Sequence, residues 1–319
     1  MSELAMDLVT VGEALGVFAP VPDGALRPGG TASFAVGGAE LNVAIGLSRL
    51  GHRAGWVGRV GDDAAGRAIR AVLRAESVHD ECVRTDPDAA TGVYVKETVG
   101  LRGLRVSYHR SHSAATRMDI AGADFNYLLS GRILHLTGIT PALSASVEEL
   151  LHELLARATR RGVTVSFDAN IRHQLCGGRP PMGFLEPFVS AADLLFFSAM
   201  EAEELLGIDV VGDAVDRFAT LRAKALVVHD ASGAYAVDQD GVTTIVARPL
   251  QVVDPVGAGD AFVAGYLSGY LRGWPTLQCL RLAELCAAHV VTVVGDHDGF
   301  PTEPEAMAAL GATAPRTER

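Results

Sequence analysis

The sequence predicts an α/β fold: a doubly wound, mostly parallel sheet with helices on both faces, plus a small β-sheet that forms a lid. Two observations carry this prediction. After about residue 130, short apolar runs alternate with segments whose apolar residues recur every three or four positions. Before that point, two stretches alternate apolar and polar residues in a period of two, which is typical of half-exposed antiparallel strands. We expect the whole chain, 1–319, to form a single domain.

The predicted strands of the large sheet are short and apolar, as parallel strands buried between two layers of helices should be. They are assigned to residues 132–138, 163–168, 194–198 and 225–229. Between the first two strands, residues 144–161 carry a helical leucine pattern. That pattern ends at a glycine, the residue most favoured just after the last turn of a helix.

The lid strands are drawn from about 14–36 and 92–110. Their clearest part is an antiparallel hairpin formed by 92–99 and 105–110, with a glycine-containing turn between them. Since a small open sheet leaves unpaired edges that associate readily, we expect a homo-oligomer that pairs through the lid.

Charge and composition exclude several classes of protein. The formal net charge is −11, whereas a nucleic-acid-binding protein presents a basic face. No uncharged apolar stretch is long enough to cross a membrane. The four cysteines form no CxxC pair and suit a reducing cytosol. The sequence therefore predicts a cytoplasmic protein that acts on small molecules, without a nucleic-acid or membrane partner.

The most informative stretch is DPVGAGDAF at 254–262, a glycine-rich turn that opens a helix. Gly257, Ala258 and Gly259 would expose backbone N–H groups at a helix N-terminus, where the helix dipole adds positive potential. They form a candidate anion hole for phosphate. Asp260 follows directly, where an attacking hydroxyl would lie, so it is the candidate catalytic base of a phosphoryl transfer. The alternative role for this carboxylate is that of a helix cap.

DPVGAGDAF resembles the signature of the PfkB, or ribokinase-like, family of carbohydrate kinases. Two further family motifs precede it in order, VGGAELNVAIGLSRLG at 36–51 and VGRVGDD at 57–63. The resemblance covers essentially the whole chain, and it implies a ribokinase-like fold with ATP and Mg²⁺ as cofactors and a monovalent cation as a further candidate. It implies that Glu201 orders Mg²⁺ through water. The residues implied to contact ATP are Ser198, Gly233, Gly257 and Gly259.

Within the family, the sequence is most similar to the subgroup that phosphorylates 2-keto-3-deoxygluconate. The similarity lies in short stretches such as TGVY at 91–94, YHR at 108–110, DANIR at 168–172 and GDHDG at 295–299. It implies transfer to the terminal hydroxyl of this acid sugar, bound between the large domain and the lid. The residues implied to face the sugar are Gly38, Asn42, Tyr94, Tyr108, Arg110, Arg172 and Asp296.

Three functions remain open at this point: a kinase of an acid sugar, a kinase of a neutral sugar such as fructose or ribose, and a non-catalytic sugar sensor. Arg110 and Arg172 favour the first, because a guanidinium binds a planar carboxylate through two parallel hydrogen bonds. Asp260 and the intact glycine-rich turn argue against the third. The loop from His229 to Gly233 departs from the family, since the first glycine of its usual G-x-x-G is missing, and this leaves nucleotide preference open.

Overall fold

The computed structural model describes residues 6–21, 24–98 and 104–313. The strands in these ranges are, in chain order, β1 (Met6–Val11), β2 (Leu15–Val21), β3 (Thr31–Gly37), β4 (Ala54–Val57), β5 (Arg59–Gly61), β6 (Arg84–Asp86), β7 (Val93–Thr98), β8 (Leu104–His109), β9 (Gly131–Thr137), β10 (Thr164–Asp168), β11 (Leu194–Ser198), β12 (Ala225–Asp230), β13 (Gly233–Asp238) and β14 (Gly241–Val246). The α-helices are α1 (Ala39–Arg49), α2 (Ala64–Ala75), α3 (Phe125–Leu128), α4 (Ala145–Arg161), α5 (Met182–Ala191), α6 (Ala199–Leu206), α7 (Val211–Phe218), α8 (Ala258–Leu271), α9 (Thr276–Val290) and α10 (Glu303–Thr313).

The described residues form a large sheet of eight strands in the order β14-β13-β12-β11-β10-β9-β1-β4. The strands from β12 to β4 pair in parallel, whereas β13 and β14 add an antiparallel edge. Apolar side chains fill both faces: Phe196 packs into the core cluster that contains α1, α8 and α9, and Phe197 into the cluster that contains α4 and α5. The predicted doubly wound α/β fold is confirmed.

The expectation that the large sheet lies after about residue 130 is incomplete, because β1 and β4 from the first third also belong to it. Leu8 of β1 pairs with Ala54 of β4 on one side and with Ile133 of β9 on the other. β4 has only four residues, too few to establish a period, so its sequence carries little signal of its own. In the structure, β4 is established as a strand by its parallel pairing with β1.

The small sheet has the order β3-β2-β7-β8 within the described residues. β7 and β8 form an antiparallel pair in which Tyr94 lies opposite Tyr108. One face packs Leu15, Val17 and Tyr94 together. The turn predicted between β7 and β8, at 99–103, lies outside the described residues.

Helix α1 connects the N-terminal part of the chain to the turn at 295–300. It begins after Gly38, and its last residue, Arg49, binds the Glu76 carboxylate through two hydrogen bonds of 2.7 Å. The same guanidinium donates to the backbone carbonyls of His297, Asp298 and Phe300 at 3.0–3.1 Å. Arg49 therefore holds the turn at 295–300 against the end of α1. Among the described helices, none has both the length and the apolar character required to cross a bilayer.

Candidate active site

A cavity of about 520 Å³ lies between the carboxyl ends of the parallel strands, the first turn of α8 and the small sheet. Its lining brings together most of the residues that the motifs single out. These are Gly38, Asn42, Tyr94, Tyr108, Arg110, Arg172, Ser198, Glu201, Gly257, Gly259, Asp260 and Asp296. Ala258 and Gly233 are not part of this lining.

The first turn of α8 forms one wall of the cavity. Gly257 caps the helix with φ +83°, and a Cβ atom there would overlap the backbone carbonyl of Asp296, so only glycine fits. The first amides of a helix have no acceptor one turn earlier. The N–H of Ala258 reaches only the Pro255 carbonyl, at 3.4 Å. Backbone donors at this position can therefore bind an anion in the cavity.

Asp260 lies in this first turn and is 8% exposed. Its Oδ2 accepts a hydrogen bond of 2.7 Å from the side-chain amide of Asn42, and its Oδ1 a longer one of 3.4 Å from Asn170. Burial raises the pKa of Asp260 to about 7, although the Asn42 hydrogen bond and the charge of Arg172 act in the opposite direction. A carboxylate with a pKa near neutrality is suited to general-base catalysis.

A second group of acidic side chains lies at the ends of β10 and β11. Burial raises the pKa of Asp168, and the charges of Glu201 and Asp260 add to the effect. Glu201 Oε1 accepts from the N–H of Ile171 at 2.6 Å, and Oε2 accepts from the N–H of Ser198 at 2.9 Å, so the side chain is held in place. Ser198 and Glu201, which the sequence predicts to contact ATP and to order Mg²⁺, thus form a capping box at the start of α6.

These carboxylates fit Mg²⁺ bound through water. Mg²⁺ usually keeps several waters and binds one or two carboxylates together with the phosphates of the nucleotide. Asp168 and Glu201 supply two carboxylates at one side of the cavity. Within the described ranges, no group of three or more acidic, histidine or cysteine side chains is arranged to hold a metal ion directly.

The two arginines of the cavity differ in their surroundings. Arg110 is buried and ion-paired with Glu13, whose other oxygen accepts from Ser113 at 2.6 Å. Burial raises the pKa of Glu13, against the influence of Arg110. Arg172 is exposed and donates to the carbonyl of Ile171 at 3.3 Å. Arg172 is therefore the more available cation for a ligand.

Tyr94 and Asp296 meet on the lid side of the cavity. The Tyr94 hydroxyl donates to Oδ2 of Asp296 at 2.6 Å, and its ring lies 5.5 Å from that of Tyr108. Burial raises the pKa of Asp296, opposed by the Tyr94 hydrogen bond and by the charge of Lys96. Asp296 thus bridges the lid and the turn that begins at Gly295.

The loop after β12 is a tight hairpin turn. Asp230 Oδ1 accepts from the N–H groups of Ser232 and Gly233 at 2.7 and 3.2 Å. A Cβ atom on Gly233 would overlap the carbonyl of Ile245, so the sheet itself requires this glycine. His229 does line the cavity, and its ring stacks on Phe262 with centroids 4.5 Å apart.

Several cavity residues were not assigned from the sequence: Glu13, Glu40, Asp168, Asn170 and His229. Asp168 and Asn170 stand in the DANIR stretch, and polar residues at the carboxyl end of a buried strand are the signal that could have identified them. Asn170 has φ +35°, uncommon outside glycine, and it also donates to Asp168 at 3.3 Å. Glu40 is fully buried and accepts from the hydroxyls of two threonines, and nothing in its spacing indicates these distant partners.

A model of the pfkB family of carbohydrate kinases matches residues 5–303. This chain belongs to that family. It is 32% identical to a 2-dehydro-3-deoxygluconokinase of Bacillus subtilis over 97% of both chains, and 33% identical to one of Thermoproteus tenax over 98% of this chain and 96% of the relative. It is also 33% identical to a fructokinase of Klebsiella pneumoniae, over 86% of this chain and 91% of that enzyme.

Solved structures of pfkB relatives have the same fold. A PfkB protein from Polaromonas sp. JS666 is 32% identical and aligns with a TM-score of 0.86, over 95% of this chain and 100% of the other. A 2-dehydro-3-deoxygluconokinase from Thermotoga maritima is 25% identical with a TM-score of 0.88, over 97% and 99%. The protein is therefore a carbohydrate kinase with the ribokinase-like fold.

Proposed function

We propose that this pfkB-family kinase transfers the γ-phosphoryl group of ATP to the terminal hydroxyl of 2-keto-3-deoxygluconate, the same compound as 2-dehydro-3-deoxygluconate. The observation that carries the proposal is the position of Asp260, a buried carboxylate in the first turn of α8 beside Gly257 and Gly259. Two relatives that match nearly the full chain are named for this sugar acid. The four cysteines are free thiols, which fits a cytoplasmic location.

In the proposed reaction, Asp260 accepts the proton of the attacking hydroxyl as the new phosphate ester bond forms and the bond to ADP breaks. The Asn42 amide holds the carboxylate in one orientation. The N–H groups of the first turn of α8 stabilise the charge on the phosphates. Mg²⁺ bound through water at Asp168 and Glu201 would neutralise part of the same charge. ATP would also contact Ser198, while Gly233 acts through the shape of its turn.

The preference for an acid sugar would come from Arg172. Its guanidinium lines the cavity and is exposed, so it can bind a carboxylate without breaking an ion pair to a described residue. Gly38, Tyr94 and Tyr108 would complete the sugar pocket on the lid side, with Asp296 accepting hydrogen bonds from sugar hydroxyls. Arg110 would contribute positive potential while it remains paired with Glu13.

A kinase of a neutral sugar is the second candidate. It is favoured by the Glu13–Arg110 ion pair, which leaves one of the two arginines already neutralised, and by the identity to the Klebsiella pneumoniae fructokinase. The cavity also contains more carboxylates than guanidiniums. A non-catalytic sensor is disfavoured because Asp260 and both turn glycines are intact.

An ATP-consumption screen separates these candidates. The purified protein is tested with 2-keto-3-deoxygluconate, fructose, ribose and adenosine under the same Mg–ATP concentration. The proposal expects the highest kcat/KM with the keto acid. A higher kcat/KM with fructose or ribose would replace it by the neutral-sugar function, and turnover of none of the four would remove both. Omitting Na⁺ and K⁺ from the best reaction tests the monovalent cation that the resemblance implies.

A further inference from the structure

A buried lysine connects the lid to the loop that leads into α8. Lys96 of β7 is 8% exposed, and its ammonium group forms an ion pair with Asp254 Oδ2. It also lies 3.7 Å from Oδ1 of Asp296. The sequence contains only one other lysine, Lys224. A lone lysine buried between two carboxylates is a specific arrangement, because removing a charge from water costs free energy unless partners compensate it.

Asp254 in turn organises the start of the anion hole. Its Oδ1 accepts from the N–H of Val256 at 3.1 Å, and its Oδ2 accepts from the N–H of Gly295 at 3.2 Å. Gly257, which caps α8, follows three residues after Asp254. The Lys96 ammonium therefore contacts a carboxylate that ties together the two backbone segments meeting at the helix N-terminus.

The same strand carries a contact on the sugar side. Tyr94 and Lys96 are two residues apart on β7 and project from the same face, since side chains alternate along a strand. Tyr94 lines the cavity and binds one oxygen of Asp296, while Lys96 lies beside the other. Lys96 itself is not among the cavity-lining residues. Its effect on any ligand must pass through Asp254 and Asp296.

We propose that Lys96 is a positioning residue for the phosphoryl donor: from the lid, it fixes the Asp254 turn so that the first turn of α8 remains directed at the phosphates. This inference rests on the proposed kinase function. Without the ammonium group, the repulsion between the two buried carboxylates would increase, and the turn would move to separate them. Nucleotide binding would then weaken, although no ATP-contacting atom has been removed.

The test compares Lys96→Met with Lys224→Met. The control makes the same chemical change at an exposed lysine that pairs with Asp193 at 3.2 Å and is not part of the cavity lining. Calorimetry measures the affinity for Mg–AMP-PNP, which needs no sugar, and steady-state kinetics give KM for ATP and for the sugar. Loss of a charge-assisted contact predicts a rise of about tenfold or more in the Kd and in the ATP KM of Lys96→Met. We expect a smaller change in the sugar KM and parental values for Lys224→Met.

Charge rescue tests whether the cation itself is required. Lys96→Arg keeps the cation and should recover most of the nucleotide affinity. Adding propylammonium to Lys96→Ala should lower its ATP KM, because the truncated side chain leaves room for a small amine, whereas the same salt should not affect Lys224→Ala. A merely structural role would instead change the sugar KM of these variants as much as the ATP KM.

Some outcomes would overturn the inference. Mg–AMP-PNP affinity of Lys96→Met within about twofold of the parent would do so while leaving the kinase proposal intact. If Lys96→Met does not fold, Lys96→Gln, which removes the charge and leaves both carboxylates in place, replaces it. Parental nucleotide affinity in Lys96→Gln would likewise reject the role of Lys96. A parent protein that does not bind Mg–AMP-PNP would reject both proposals.

Discussion

The side-chain amide of Asn42 donates a hydrogen bond of 2.7 Å to Oδ2 of Asp260, joining two residues that are 218 positions apart in the chain. Asn42 lies in the first turn of α1 and Asp260 in the first turn of α8, so two helix N-termini meet at one carboxylate. The Asn42 amide N–H is a donor, and Oδ2 of the Asp260 carboxylate is the acceptor. Asn42 thereby orients the candidate base and leaves its second oxygen facing a weaker partner, Asn170.

Replacing Asp260 by Asn should abolish most turnover and preserve nucleotide binding. The side chains have the same size, and the amide oxygen of the new residue can still accept from Asn42. Loss of a general base typically lowers the rate by about a hundredfold or more. We expect kcat to fall by that amount while the Kd for Mg–AMP-PNP stays within about threefold of the parent. A variant with nearly parental kcat would reduce Asp260 to a helix cap.

The pH dependence of kcat/KM should have an acidic limb near pH 7. Burial raises the pKa of Asp260 to about 7, so the carboxyl is protonated below that pH and cannot accept the hydroxyl proton. As the pH rises through 7 the base becomes ionised, and the rate should increase about tenfold per pH unit below the pKa and then level off. Burial lowers the pKa of His229 to about 4, so this histidine is neutral across the limb. His229→Gln should therefore retain the limb, and its disappearance in that variant would assign it to His229.

The two arginines should respond differently to truncation. Arg172 is exposed, so Arg172→Ala should leave the melting temperature nearly unchanged and raise the KM for the keto acid by about one to two decades. The KM for ATP should stay close to the parental value. The measurement pairs steady-state kinetics with thermal unfolding, and fructose serves as the substrate whose KM should change little.

Arg110→Ala leaves the buried Glu13 without its ion-pair partner. Breaking a buried pair from one side typically costs about 3–5 kcal/mol. We therefore expect a clear drop in melting temperature, which Arg110→Lys should reduce. An Arg110→Ala variant with parental stability and a selective loss of keto-acid binding would instead make Arg110 the main carboxylate ligand.

The protein should form a homo-oligomer through the outer face of the small sheet. Phe18 and Phe34 are 37% and 43% exposed there, with ring centroids 5.0 Å apart, and an exposed apolar patch beside open sheet edges favours association. Phe34→Glu should shift the mass measured by light scattering at micromolar concentration towards the monomer. Met200→Glu, at an exposed position on α6, is the control that should not. A monomeric parent would contradict the prediction directly.

The sequence predicts the parts of this protein whose signal is local. The leucine spacing predicts α4 from neighbouring residues alone. The same local signal predicts that the helix ends at Gly162, which has the left-handed conformation with φ +67°. The same holds for the glycine-rich turn before α8, because only a few residue types allow a backbone to approach an anion closely. For these elements, the pattern and the structure agree.

The remainder depends on partners that are distant in the chain. Lys96 meets Asp254 across 158 residues, and Arg110 meets Glu13 across almost a hundred. Spacing along one strand cannot indicate which carboxylate another segment will bring to it. For the same reason the sequence predicts equivalent roles for Arg110 and Arg172, although Arg110 forms an ion pair with Glu13 and Arg172 is exposed. Such differences arise only when the sheet assembles.

Arg49 lies outside the cavity lining but contacts the turn that carries Asp296. Arg49 follows Asn42 by seven positions, a rise of about 10 Å at 1.5 Å per residue, so its guanidinium lies at the other end of α1 from Asn42. Yet that guanidinium holds the turn that carries Asp296, while the other end of the same helix orients Asp260. The helix acts as a rigid spacer that helps to set the separation of two groups in the cavity lining, Asp260 and Asp296. A substitution at Arg49 would therefore impair activity as an active-site substitution does, although Arg49 is not part of the cavity lining.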